Sequence, residues 1–152
     1  MRKTFFHFAL SAMLFAFYVP AEAQQSTKVP RIGYLTAVSL SAYSTRIEAF
    51  RQGLREHGYV EGKNIVIEWR SSEGIRERTL ALAAELVRLK VDVIVSGGLG
   101  ATRAAKAATV TIPIVMGFDS DPVGNGFFGS LARPGGNITG LATLSPEISG
   151  NG

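Results

Sequence analysis

The run Val91-Asp92-Val93-Ile94-Val95-Ser96 constrains the fold more than any other stretch of this chain. Apart from Asp92 and Ser96 it is β-branched throughout. A strand-length run that does not alternate with polar residues belongs to a strand covered on both faces, as in a parallel sheet. It opens directly into Gly97-Gly98-Leu99-Gly100 and then an Ala-rich helical stretch over 101–108. Parallel strands need long crossovers, so a chain built around this run must supply helices between its other strands.

The rest of the sequence meets that requirement. Short apolar runs over 31–36, 65–70, 112–117 and 138–144 read as four further strands. Between the first two, Ile47, Phe50 and Leu54 recur on one helical face while Arg46, Glu48, Arg51, Arg55 and Glu56 lie off it, and Gly58 is placed to end the helix in a left-handed cap. Residues 76–90 carry Leu80, Ala83, Leu86 and Val87 at helical spacing. A helix over 123–131 is expected before the last strand, tolerating Gly124, Gly126 and Gly129 at some cost. The strand–helix alternation predicts an α/β fold with a doubly wound parallel sheet and right-handed crossovers. Such sheets bind ligands beyond the carboxyl ends of their strands, here the loops 36–44, 71–73, 96–102 and 118–123.

The N-terminus stands apart. Arg2 and Lys3 precede an apolar stretch from Phe5 to Val19, and Pro20-Ala21-Glu22-Ala23 ends in a small-residue cleavage pattern, which predicts a secretory signal peptide over 1–23. The apolar stretch is short for a roughly 30 Å hydrocarbon core. Residues 24–30 read as a linker and 31–145 as one lobe. The chain has no cysteine, which excludes disulfides, thiolate metal sites and a lipid-modified N-terminal cysteine. Its excess of four positive charges over 152 residues is scattered, which argues against a nucleic-acid partner.

Little in the sequence supports catalysis or a cofactor. His57 falls at a helix end beside Gly58, no Cys–His pair exists, and no G-x-S-x-G elbow appears. The Gly97–Gly100 cluster fails the dinucleotide spacing, since Arg103 stands where a third glycine belongs. A tight turn and a direct ligand contact are both open there. Asp119 and Asp121 lack the further ligands of a calcium loop. Either Asp119 or Ser120 meets the polar head of a small solute while Asp121 caps the next helix, or both aspartates only cap and turn.

Several pieces occur in a recognisable order: I-G-Y-L, F-R-Q-G-L-R-E-H-G-Y-V-E-G-K-N-I, V-D-V-I-V, T-I-P-I-V, D-P-V-G and L-A-R-P-G-G-N-I-T-G. This set closely resembles the ABC-transporter substrate-binding proteins of the tryptophan/tyrosine-binding type. The resemblance implies a non-enzymatic periplasmic protein of the type I periplasmic-binding fold; the lipobox cysteine of some relatives is missing here, so the expectation is a protein that is not lipid-anchored. Two lobes of that fold close on a small solute, possibly an amino acid, and pass it to an ABC permease and its ATPase. By position, it points to Thr36, Ser96, Gly97, Gly98, Thr102, Asp119 and Ser120 as ligand-binding residues. It also implies a second lobe after 146–152, so the chain reads as an N-terminal lobe with a truncated tail. The alternative is a truncated fragment with no transport role or with an interaction role only.

Overall fold

The computed structural model describes residues 28–129 and 136–142. Five strands, β1 (Arg31–Thr36), β2 (Val66–Ser71), β3 (Val93–Gly97), β4 (Ile114–Asp119) and β5 (Ile138–Ala142), form one sheet in the order β2-β1-β3-β4-β5. Every pairing is parallel. The β-branched run supplies the middle strand, as its burial pattern requires. Val91 and Asp92 precede the strand itself, and Asp92 fastens the start of β1 by accepting from the Arg31 amide at 2.8 Å and from Lys28 Nζ at 2.7 Å. The hydrogen bond from Lys28, and then that from Arg31, hold the Asp92 carboxyl below its ordinary range.

Helices α1 (Ser44–Glu56), α2 (Arg76–Arg88) and α3 (Leu99–Ala108) cover the two faces unequally. Strand residues alternate between faces, so Leu35, Ile94, Ile114 and Met116 join Ala83, Leu86, Ala101 and Ala105 beneath α2 and α3. The neighbours Tyr34 and Val95 point the other way and pack with Ile32, Ile47 and Ile67 beneath α1. The small alanines let α3 lie close to the sheet, which fixes the start of that helix against the end of β3.

α1 ends as its sequence predicts, with Gly58 N–H reaching Arg55 O at 2.9 Å and Tyr59 N–H reaching Leu54 O at 2.8 Å. The helix is then clamped to β2. Arg51 lies over the Trp69 ring, 4.6 Å from its centroid, and donates through Nε to Glu61 at 2.8 Å, while Trp69 Nε1 donates to the other Glu61 oxygen at 2.6 Å. Trp69 also packs against Tyr34 in a tilted contact at 4.9 Å and edge-on to Phe50 at 6.3 Å.

Three expectations are corrected. Leu80 faces outward, 45% exposed, and Thr79 takes the inward place because its hydroxyl is satisfied by Ser72 Oγ at 2.5 Å and Ile75 O at 3.1 Å. The fourth strand starts after Pro113 and runs on to Asp119, so Asp119 ends the strand rather than lying in the turn. Residues 122–126 form turns and not the start of a helix over 123–131. Gly126, at φ +73°, leaves the helical region, and the adjacent Phe127 and Phe128 are both buried, a spacing one helical face does not provide. Residues 130–131 and 143–144 of the expected helix and strand, the predicted signal peptide and the predicted tail lie outside the described residues.

Candidate functional site

The 2-1-3-4-5 strand order reverses direction between β1 and β3, and the crevice beyond their carboxyl ends is where doubly wound sheets take ligands. Thr36 and Gly97, the last residues of β1 and β3, stand opposite one another there. All of the sequence-predicted site residues lie along this edge, at or just beyond the ends of β1, β3 and β4.

Their side chains divide into two groups. Thr36, Ser96 and Thr102 are fully buried and Asp119 nearly so. Thr36 Oγ1 accepts from the Val38 amide at 3.2 Å, which folds the β1 loop back on the strand. Thr102 Oγ1 donates to Gly98 O at 3.1 Å, so Ser96 Oγ, 2.8 Å away, is the donor in their contact. Asp119 accepts from the Asp121 amide at 2.7 Å and from Asn125 Nδ2 at 2.9 Å, and Asp121 in turn accepts from the Gly124 amide at 2.8 Å. These bonds hold the loop backbones in place. Ser120, in contrast, is exposed.

Gly97 and Gly98 carry the chain from β3 into α3. Gly98 sits at φ +94°, a conformation that L side chains rarely adopt, and α3 begins there with no side-chain cap and no acidic residue in its first turn. The first amides of a helix have no partner within it, so this edge offers N–H groups and the positive end of the α3 dipole.

Sequence reasoning missed the residues that surround Gly98. The Phe118 ring and the Tyr43 hydroxyl both approach the position a Gly98 side chain would take, at 3.4 and 3.5 Å. Their rings are 6.1 Å apart, and the Arg46 guanidinium lies 4.1 Å from the Phe118 centroid and 5.2 Å from that of Tyr43. Below them a depression of about 520 Å³ runs down the α1 side of the sheet, walled by Tyr34, Phe50, Val115 and Leu141 with Arg46 at its rim. Burial pushes the Tyr34 phenol above its ordinary value of 10.0; Tyr43 adds to the rise and Arg46 opposes it. A second depression, of about 430 Å³, lies on the opposite side between Ala37, Arg76, Leu99 and Arg103. Asn125 was also missed, since only the folded turn brings its amide onto Asp119.

Among the described residues there is no group of three His, Cys, Asp or Glu side chains able to hold a metal ion. No described helix is long and apolar enough to cross a membrane.

Comparison with known proteins agrees with this architecture. A curated tyrosine-binding protein of Clostridioides difficile is 33% identical over 117 residues, covering 77% of this chain and 34% of that protein. Among solved structures, a conserved domain protein of Vibrio cholerae is 33% identical at a TM-score of 0.74, covering 78% of this chain and 40% of that one. An ABC domain from Streptococcus pneumoniae in complex with L-Trp is 29% identical at a TM-score of 0.70, covering 74% and 38%. The chain therefore spans about a third to two-fifths of the length of these relatives. With residues 31–147 matching the family described as ABC transporter substrate binding protein, on a fold with the same lobe architecture, the chain belongs to that family.

Proposed function

We propose that this chain is the first solute-binding lobe of an ABC-importer substrate-binding protein and that its small solute is an amino acid, with aromatic ones the first to test. The observation that carries the reading is the convergence of the loops after β1, β3 and β4 at one edge of the sheet, where Thr36, Ser96, Thr102 and Asp119 are turned inward and Ser120 is exposed. In this reading Thr36, Ser96, Thr102 and Asp119 shape the site from beneath. Gly97 and Gly98 present backbone to the solute, and Ser120 presents its hydroxyl. The tyrosine-binding relative and the L-Trp complex supply the choice of probes.

The wider roles extend the same reading, from the sequence of the N-terminus and from the family. Residues 1–23 direct export to the periplasm and are removed, 24–30 are a linker and 31–145 form the lobe. A second lobe closes over the solute and presents it to a permease driven by an ATPase, without chemical change to the solute. Hinge closure of two lobes is how such a site excludes water and signals its occupancy.

Calorimetric titration of the purified chain with L-Tyr, L-Trp and the other amino acids tests the reading. Binding by at least one of them, weakened by Gly98→Ala and by Ser120→Ala, is expected. Binding unaffected by either substitution would move the site elsewhere, and no binding by any amino acid would remove the assigned solute class.

A further inference from the structure

We propose that Arg46 is the ionic anchor that holds the carboxylate of the bound solute, an inference that rests on the solute-binding reading above. Arg46 lies in the first turn of α1, close to the positive end of the helix dipole, where a cation is locally unfavourable. It is exposed, yet its guanidinium is not loose: Phe118 and Tyr43 give it a surface to lie on. Stacking on a ring occupies the face of a guanidinium and leaves its N–H donors, which lie in the plane, directed outward. Among the described residues no carboxylate pairs with Arg46 and no acceptor takes its N–H groups.

The molecule contains the completed form of the same device. Arg51, on the same helix, is stacked on Trp69, and its N–H is taken by Glu61 at 2.8 Å. Arg31, Arg55 and Arg70 also pair with glutamates. Arg46 combines the stacked posture of Arg51 with a position at the ligand edge, against the two aromatic side chains that flank Gly98 and in the lining of an apolar depression. A pre-set fork of donors next to apolar walls fits a small molecule with a carboxylate at one end and an apolar body at the other. A planar fork matches a carboxylate in two parallel hydrogen bonds, the stronger class of such contacts.

The test uses the isotope-labelled full chain and three probes that share an indole body: L-tryptophan, tryptamine, which lacks the carboxylate, and indole-3-propionate, which lacks the ammonium. Nuclear magnetic resonance follows the Arg46 side-chain N–H and the Gly98 and Phe118 amides. The anchor predicts that L-tryptophan and indole-3-propionate shift these signals, that tryptamine binds about tenfold more weakly or worse, and that Arg46→Gln lowers L-tryptophan affinity by a similar factor. Arg46→Lys, which keeps the charge and loses the fork, recovers only part of it. Tryptamine binding as well as L-tryptophan, or Arg46→Gln leaving affinity unchanged, overturns the anchor and leaves the solute-binding reading standing. If no amino acid and none of the three probes perturbs the strand-end signals, both fall together. Unchanged thermal unfolding of Arg46→Gln separates a binding defect from a folding one, and the tryptamine arm needs no variant.

Discussion

The two stacked arginines of α1 stand in opposite situations. Arg51 is enclosed by its own chain: Trp69 lies against its face, Glu61 takes its N–H, and Trp69 binds the second Glu61 oxygen, so that α1, the turn after it and β2 form one unit. Arg46 has the aromatic surface and lacks the acid. The difference reflects what each must do. At the Arg51 end α1 covers the sheet and the partners come from the turn after α1 and from β2, so stability is the gain. At the Arg46 end α1 meets β3 and β4 at the edge where the loops diverge, and the polar groups that could have closed the gap, Asp119 above all, are drawn inward to hold their own loop.

Removing the aromatic centre of the closed arrangement should have the largest effect. Trp69→Ala deletes contacts with Tyr34, Phe50 and Arg51 and leaves Glu61 held by Arg51 alone, and it should cost about 2–3 kcal/mol, somewhat below a full core value because Trp69 is half-buried. Phe118→Ala should cost clearly less, since the contacts of its ring are chiefly those with Arg46 and Tyr43 at the sheet edge. Denaturant unfolding of both variants checks the order. Equal losses would mean that the open stack is as structural as the closed one.

The ion pair itself comes next. Arg51 and Glu61 are each about a third exposed, so solvent screens them, and a double-mutant cycle with Arg51→Gln and Glu61→Gln should give a coupling of about 0.5–1 kcal/mol that shrinks in high salt. A coupling that does not respond to salt would show that the hydrogen bonds alone matter. Acid should reveal the same unit. Desolvation raises the Glu61 carboxyl, but the hydrogen bonds from Trp69 and Arg51 outweigh it, and the net position is below the ordinary 4.5. The folded protein thus binds the Glu61 proton less readily than the unfolded chain, so this contribution is complete above about pH 4.5 and is lost as pH falls through the lower folded value. Unfolding curves of the parent and Glu61→Gln should therefore converge on acidification. Asp92 is depressed too and remains in both proteins, so it cancels in that difference.

How much of the structure is legible in the sequence depends on the range of the interaction. The parallel sheet is, because burial on both faces demands the β-branched run at 91–96, and α1 is, because Ile47, Phe50 and Leu54 mark one apolar face. The cap at Gly58 is legible for the same reason: it is a local matter of backbone sign. The choice of Thr79 over Leu80 is not, since it turns on Ser72 arriving from β2 to satisfy a hydroxyl. Thr36, Ser96 and Asp119 can be placed at the strand ends and Thr102 in the first turn of α3, but their inward direction is set by hydrogen bonds that exist only once the loops have folded. In the sequence Arg46 looks like one more solvated charge on α1. Its stacking needs Phe118, which reaches it only because β4 lies next to β3.

The smallest expected change in stability is the most discriminating. Arg46→Gln removes a stacked guanidinium with no ionic partner among the described residues, so the loss is confined to its contact with the rings. Against that loss stands a gain, because a cation is taken away from the positive end of α1. The two terms oppose each other, and the net change in unfolding free energy should lie within about 0.5 kcal/mol of zero. Arg51→Gln, the same substitution on the same helix, leaves Glu61 bound by Trp69 alone and should be distinctly worse. Side-by-side denaturant curves of the two variants check it. A large loss at Arg46 would place it with Arg51 as a brace for α1, whereas near-neutrality leaves its charge to be accounted for by what binds at the strand ends.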